Sequence, residues 1–325
     1  MLVRIVKNWN APNLMRQTPG IRGRWDDIQF TEEEVEHCHY CLILNSVPRE
    51  TTVTLPPQNI WCFIQEPPLT AYRWMERGFR HYHKVYCQDA RHRGAKFIQS
   101  HGSLPWHVGK TYDELVAEPL PTKTEDLCWI TSATSTFPGH RRRLSFLDRI
   151  RASGVRFNLF GRGFKPVDDK WDVLAAHRYS LAIENHSGPD YWTEKIADCF
   201  LAWTMPLYYG ATNIAKYFPS DSFVRIDIED PHTPRRITEI VRSDLAERNR
   251  DAIAEARRRV LEEHQLFPRI SRLITDDVNH GRQGDPAKVY LPAIPDLTAY
   301  YLDNGIVRRA LLSARRRSRR LFGGV

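Results

Sequence analysis

The run from 179 to 196, YSLAIENHSGPDYWTEKI, concentrates the residue types that handle a charged ligand. It starts as a short apolar strand and breaks at Glu184-Asn185 into a loop that holds Ser187, Gly188, Pro189 and Asp190. A helix restarts near Thr193. A strand–loop–helix unit places its loop at the carboxyl edge of a sheet, where the first N–H groups of the new helix favour an anion. A diphosphate suits such a place. Lys195 adds a positive point charge in the first helical turn, and Thr193 or Tyr191 supplies a hydroxyl donor. Glu194 would repel a diphosphate unless its oxygens accept hydrogen bonds from ribose hydroxyls, so ribose is its expected partner.

These residues need a frame. Apolar runs rich in Val, Ile, Leu and aromatics predict strands at 2–6, 41–44, 60–64, 85–87, 127–131, 155–160, 181–183, 207–209 and 223–226. Longer polar or helix-period segments lie between them, the pattern of parallel sheets with crossover helices. Helices are expected at 141–152, 193–203 and 246–264, the last with Ile253, Ala256, Val260 and Leu261 on one face. The proline- and charge-rich stretch 116–125 reads as a linker, and after Phe267 the prolines and glycines predict loops. A chain of 325 residues is long enough for two cores. The expected architecture is α/β, with two Rossmann-like doubly wound domains facing a cleft: residues 1–118, residues 119–285, and a C-terminal extension over 286–325.

Composition excludes several classes. With 42% hydrophobic and 26% charged residues the chain is an ordinary globular protein, not a fibrous or disordered one. No leader of signal-peptide type follows Met1 and no apolar run is long enough to span a bilayer, so a soluble, cytoplasmic protein is expected. The six cysteines are scattered and read as reduced, with only His37-Cys38-His39-Tyr40-Cys41 approaching metal-ligand spacing, and no second pair completes it. The net charge of +8 falls to +1 once the seven arginines between Arg308 and Arg320 are set aside. That tail alternates arginines with Val307, Ala310, Leu311, Ala314, Leu321 and Phe322, which fits either a helix lying on anionic lipid at the inner membrane face or a solvated basic terminus. A body charge of +1 argues against a nucleic-acid-binding protein, because phosphate-tracking surfaces need many cations on the folded face.

The string ENHSGPDYWTEKI, followed by MPLYYGATN and FPSDSFVRID, resembles the donor-binding motif of the α-1,3/α-1,4-fucosyltransferases of glycosyltransferase family 10. Ile183 stands where the family pattern has phenylalanine, and the strict resemblance covers 176–230. Upstream, FNLFGRG at 157–163 is similar to the strand and glycine turn that precede the motif. RRRLSFLDRI at 141–150 looks like the helix whose arginine contacts the donor phosphates, which falls on Arg143, with Arg141 and Arg142 as alternatives. IWCFIQEPP at 60–68 resembles the strand that delivers the catalytic carboxylate, which falls on Glu66, and Asn8-Trp9 also looks familial.

The resemblance implies a GT-B fold in which the N-terminal domain binds the acceptor and the C-terminal domain binds GDP-fucose. It further implies transfer with inversion to an oligosaccharide or glycolipid hydroxyl. Glu66 is then the general base. Arg143, Lys195 and the helix N-terminus stabilise departing GDP. Glu184 and Asn185 fix the sugar or shape the loop, and Tyr191 stacks on or hydrogen-bonds the nucleotide. With positive side chains in these places no metal or other cofactor is required, and Asp168-Asp169 and Asp227-x-Glu229-Asp230 read as loop or strand-end acids. The same fold with another nucleotide-sugar donor is the competing reading. Of Trp9, Trp61, Trp106, Trp129, Trp171, Trp192 and Trp203, which are mostly packing residues by type, Trp192 is the candidate sugar platform. His81, His83, His92 and His101 with Asp89 read as satisfied surface or core side chains.

Overall fold

A computed structural model describes residues 1–281 and 284–298. The N-terminal half is built on strands β1 (Leu2–Lys7), β2 (Arg24–Trp25), β3 (Ile28–Thr31), β4 (Tyr40–Leu44), β6 (Ile60–Phe63), β7 (Lys84–Cys87) and β8 (Phe97–Gln99). They form one sheet in the order β2-β3-β1-β4-β6-β7-β8, parallel except where β2 pairs with β3. Tyr40–Leu44 and Ile60–Phe63 are buried along their whole length, as parallel strands covered on both faces must be. Strand β5 (Thr51–Leu55) stands apart and pairs antiparallel with β14 (Ala287–Leu291).

The C-terminal half carries β9 (Glu125–Ile130), β10 (Asn158–Phe160), β11 (His177–Ile183), β12 (Met205–Tyr209) and β13 (Val224–Arg225) in an all-parallel sheet. Their order is β10-β9-β11-β12-β13. The chain therefore reverses direction across the sheet between β9 and β11, and the loops leaving those two strands part to opposite faces and open a crevice. The helices are α1 (Tyr112–Ala117), α2 (Pro138–Ala152), α3 (Lys170–Ala176), α4 (Glu194–Leu201), α5 (Thr233–Val241), α6 (Leu245–Arg248), α7 (Arg250–Arg259) and α8 (Leu266–His280). The expected helix at 246–264 is thus split, ending in a π-helical turn at Val260–His264, but Ile253, Ala256, Val260 and Leu261 are all buried, as their spacing predicts.

Two assignments differ from the sequence-based expectation. The segment after Phe267 is not loop but a fifteen-residue helix. Pro268 sits in its first turn, where a missing N–H costs nothing, the Gln265 side chain caps it by accepting from Phe267 N at 3.1 Å, and Gly281 follows its last residue. The punctuation taken for loop signals marks the two ends of a helix. That helix returns to the N-terminal half: Leu266, Phe267, Ile270 and Ile274 join Val3, Ile5, Phe30, Leu42 and Trp61 in one core, and the Tyr40 hydroxyl donates to Asp277 Oδ2 at 2.7 Å. In the other direction, Trp106, Val108 and Leu115 pack into the core of the C-terminal half, so the change of core precedes the proline-rich stretch at 116–125. Two crossings of the chain, one at residues 101–111 and one at 260–266, join the halves.

Because α8 is the N-terminal half's cover, truncating it in the core should unfold that half. Ile270 is fully buried. Ile270→Ala is expected to destabilise the protein by about 2–5 kcal/mol in a urea titration, the range for large-to-small changes in a packed core. A loss below about 1 kcal/mol would show that α8 is only loosely docked.

Candidate functional site

The carboxyl ends of both sheets face one open cleft of about 660 Å³. Thr131 and Ser132 follow β9, Gly161 and Arg162 follow β10, Asn185 follows β11, and Glu194 and Lys195 open α4. Ala11 and Pro12 reach in from the loop after β1, and His107 from the first crossing. Gly161 adopts φ +112, and a Cβ there would lie 1.9 Å from Thr131 O, so only glycine lets the β10 turn close against the β9 loop.

Glu184, at the end of β11, is buried and points into the protein. Thr193 donates to it twice, from its backbone N–H at 2.8 Å and from its hydroxyl at 2.9 Å, and the Lys195 ammonium lies 3.2 Å away. Burial pushes the Glu184 pKa up against the pull of Lys195. Glu184 therefore shapes the loop, one of the two roles its sequence context left open. Thr193 differs from expectation in this respect. Its hydroxyl, the expected phosphate donor, is engaged by Glu184, and it caps α4 by accepting from Lys195 N at 3.3 Å. A buried carboxylate needs these donors more than solvent-facing phosphate would, and so takes part of the helix N-terminus that was expected to serve the anion.

The cationic side chains line the cleft, each held by a carboxylate or an amide. Lys195 lies between Glu184 and Glu194, and although burial opposes its charge the two carboxylates raise its pKa, which keeps it protonated. Lys170, from the start of α3, bonds Asp198 Oδ2 at 2.8 Å and lies 3.5 Å from Glu194. Glu194 is desolvated too, but Lys195, Lys170 and His107 hold its pKa well below the usual carboxylate range, so it lines the cleft as an anion. Of the three consecutive arginines, Arg141 and Arg142 are exposed and Arg141 is spent on Ser135 O and Thr136 O, whereas Arg143 is buried. Arg143 donates to Asn185 Oδ1 at 2.5 Å and to Ser132 Oγ at 3.3 Å, and its Nε has no partner. Asn185 thus aims Arg143 across the cleft floor.

Glu66 stands beyond the end of β6, on the opposite half. Gln65, beside it, is clamped: its N–H donates to Asn45 Oδ1 at 2.7 Å and its side chain accepts from Trp9 Nε1 at 2.9 Å. This gives Trp9 and Asn45 a role in fixing the strand end. Glu66 itself is half-buried in a small cavity lined by Ile64, Pro67, Tyr72 and Gln88 among others. Burial raises its pKa, while a hydrogen bond from Tyr72 and the charge of Lys195 act in the opposite direction. The influence of Lys195 and Glu194 on Glu66 places the carboxylate in electrostatic reach of the donor-side residues.

Tyr191 is buried, its ring 5.5 Å from that of His186, and it is not among the residues lining the cleft. Trp192 is buried as well, its ring stacked on His101 at 4.6 Å, so it packs against the first crossing. Cys38 and Cys41 lie in the core of the N-terminal half. Among the described residues the one grouping with metal-ligand proximity is Glu76, Asp89 and His92, where Arg91 already bonds Asp89. Asp169 caps α3 by accepting from Trp171 N at 2.8 Å, and Asp227 and Asp230 accept from backbone N–H groups of their own turns, as loop acids do. Asp168 differs, since it lines the cleft. Lys170, His107, Asp198, Gly139 and Tyr72 carried no signal in the sequence reading. Lys170 is the one that the glycine turn shortly before it could have flagged.

Residues 120–250 match the family model described as Glycosyltransferase family 10 (fucosyltransferase) C-term, which bears out the resemblance read from 176–230. A 3-galactosyl-N-acetylglucosaminide 4-alpha-L-fucosyltransferase of Pongo pygmaeus is 26% identical over 174 residues, 52% of this chain and 44% of that protein. A 4-galactosyl-N-acetylglucosaminide 3-alpha-L-fucosyltransferase of Homo sapiens is 29% identical over 113 residues, 33% of this chain and 30% of that protein. The chain spans less than half the length of these relatives. Among solved structures, an alpha-glucosyltransferase in complex with UDP and a mismatched DNA 13-mer superposes with a TM-score of 0.52 at 11% identity, over 86% of this chain and 98% of that one. An alpha1,3-fucosyltransferase with GDP-fucose gives a TM-score of 0.47 at 16% identity, over 87% and 92%. The fold is the expected GT-B type, two parallel α/β halves across a cleft.

The close approach of α2 to the β11 loop is open to a direct test. A Cβ on Gly139 would lie 1.6 Å from Asn185 O, so Gly139→Ala must push α2 and Arg143 away from Asn185. Nucleotide affinity measured by calorimetry is expected to fall at least tenfold, equivalent to about 1.4 kcal/mol, with the far-UV circular dichroism unchanged. Wild-type affinity in this variant would show that Arg143 does not need its present position.

Proposed function

We propose that the chain transfers fucose from GDP-fucose to a hydroxyl of an oligosaccharide or glycolipid acceptor, with inversion. The observation that carries this reading is the cleft that brings Arg143, Asn185, Glu194 and Lys195 together, with the Glu66 carboxylate, in its own small cavity beyond the end of β6, within electrostatic reach of Lys195. The match of residues 120–250 to a fucosyltransferase family supports the donor. The acceptor oxygen attacks the anomeric carbon of fucose as the bond from that carbon to the β-phosphate oxygen breaks. The acceptor proton passes to Glu66, and GDP leaves with the bonding electron pair. A carboxylate whose pKa is raised by burial is a stronger base than one in water.

Arg143, with its unpaired Nε, and Lys195 receive the charge that develops on the diphosphate, while Glu194 accepts from the ribose hydroxyls. Asn185 holds Arg143 in place, and Glu184 and Thr193 set the loop. This set of fixed cations supplies the charge that a divalent metal supplies elsewhere, so turnover is expected to persist in EDTA. The galactosyl-N-acetylglucosaminides in the names of the relatives are the first acceptors to assay. The basic segment after residue 305 lies outside the described residues, and no described helix is long and apolar enough to cross a membrane. From its sequence it is proposed to hold the protein on anionic lipid at the cytoplasmic face.

GDP should bind wild-type protein and lose affinity in Lys195→Ala. Glu66→Gln should leave GDP affinity near wild type and reduce transfer by about 10²–10⁴-fold, the usual contribution of a positioned base. A donor panel read by GDP or UDP release decides the sugar: preference for a UDP-sugar or for GDP-mannose would replace fucose, and indifference to GDP would end the whole reading. For the tail, flotation with anionic vesicles should be lost on deletion of residues 306–325, and equal flotation would remove the membrane contact.

A further inference from the structure

Arg4 is a cation on a sheet face built of apolar side chains. It lies in the middle of β1, beside Cys41 of β4 in the parallel register, and by the alternation of strand side chains it shares its face with Val6, Cys41, Ile43 and Val53 of one core. Arg4 is only 5% exposed, and its Nε has no hydrogen-bond partner. Among the described residues no carboxylate lies within ion-pair distance of its guanidinium. A buried cation without a counterion is costly, and an apolar residue of similar volume would serve the core better. The charge therefore has a use outside the core.

Arg4 lines a cavity of about 180 Å³ at the carboxyl end of the N-terminal sheet. Its walls come from Trp9 and Asn10 after β1, Glu32 and Glu34 after β3, and Pro48 and Arg49 after β4. In the order β3-β1-β4 the chain passes from one side of β1 to the other, and open α/β sheets bind ligands in the crevice outside the carboxyl ends at such a reversal. The acids of the wall are already engaged: Glu32 lies 2.9 Å from the Lys7 ammonium, and Glu34 lies 3.6 Å from Arg49 Nε. Lys7 is held further by Trp9 O at 2.9 Å. Arg4 is left facing the cavity with no acceptor among the described residues. Pockets that enclose a whole ligand run from roughly 300 Å³ upward, so this one is sized for a charged substituent of a larger molecule.

Trp9 joins this cavity to the residues around the base. It lines the cavity, and its indole N–H donates to Gln65 Oε1 at 2.9 Å, next in sequence to Glu66. A glycan whose reacting hydroxyl stands at Glu66 carries a neighbouring sugar past Trp9 toward Arg4. We propose that the cavity is an acid subsite of the acceptor-binding half, in which the Arg4 guanidinium receives a carboxylate or sulfate of that neighbouring sugar, so that the acceptor class is an acidic glycan. This rests on the reading of the N-terminal half as acceptor-binding. A planar guanidinium pairs with two oxygens of either oxyanion at once, an arrangement that a neutral sugar cannot offer.

The experiment is a titration of the full chain with methyl β-glucuronide, glucose 6-sulfate and the neutral methyl β-glucoside, followed by saturation-transfer NMR. Wild-type protein should bind the glucuronide or the sulfate about tenfold or more tightly than the glucoside, and the tighter of the two identifies the acid. Arg4→Met keeps a side chain of similar volume and removes the charge, so the charged sugar should fall to the level of the glucoside. Asn10→Glu places a carboxylate at an exposed position on the cavity wall and should have the same effect. It stands in as the test if Arg4→Met fails to fold. Equal binding of charged and neutral sugars by the wild type overturns the subsite. A preference for the charged sugar that survives in Arg4→Met, or in Asn10→Glu where that is the variant that folds, overturns it as well. GDP affinity measured on the same samples separates the two readings: wild-type protein that ignores GDP ends the glycosyltransferase reading, whereas protein that binds GDP without preferring a charged sugar ends the subsite alone.

Discussion

The buried carboxylate of Glu184 is the constraint on which the donor side of the cleft depends. It is placed by β11, one of the two strands at which the sheet order reverses, and it is out of water. A carboxylate there must find donors from the protein, and it finds them in Thr193 and Lys195, at the two sides of the first residue of α4. That demand fixes where α4 begins and how far the intervening loop can move. It also holds Lys195 charged and beside Glu194, so a single desolvation cost is offset by contacts that shape the cationic wall.

The rest of the wall is organised the same way, by polar groups that cannot be left unpaired. Asp198 is buried one turn along α4 and takes the Lys170 ammonium at 2.8 Å and the His107 N–H at 2.8 Å. Through that one side chain the start of α3, the helix α4 and the first crossing between halves are tied together. Asp190 does the same for the loop itself. It is buried, receives Tyr217, Asn213 and Lys216, and its pKa is lowered by them despite burial. Opposite, Gln65 is held by Asn45 and Trp9, which fixes the end of β6 next to Glu66.

Much of this was legible in the sequence. Each expected strand is present, because strands buried on both faces leave continuous apolar runs such as YCLIL and IWCF that few other structures produce. Arg143, Asn185, Glu194 and Lys195 line one cleft, while Glu66 stands in a separate small cavity within electrostatic reach of Lys195. Helix α8 was not legible, because Pro268 and Gly281 carry the same local signal at the ends of a helix as in a loop, and only the packing of Leu266, Phe267, Ile270 and Ile274 on the N-terminal core distinguishes the two. Thr193 and Tyr191 were read as ligand contacts because their types permit it. Which way such side chains face is decided by neighbours far along the chain.

The sequence by itself determined the α/β class, the strands, and a strand–loop–helix unit with the charges of a diphosphate site, since these follow from local periodicity and from residue type. Tertiary structure decided the partners. It turned Glu184 inward and left Arg143, of three adjacent arginines, as the one that enters the cleft. It returned α8 to the first half, where Leu266, Phe267, Ile270 and Ile274 pack on the core of β1, β3, β4 and β6. Contacts of this kind join positions as far apart as Tyr40 and Asp277, and they form because buried polar groups and apolar faces must be satisfied by whatever the fold brings near, which spacing along the chain does not encode.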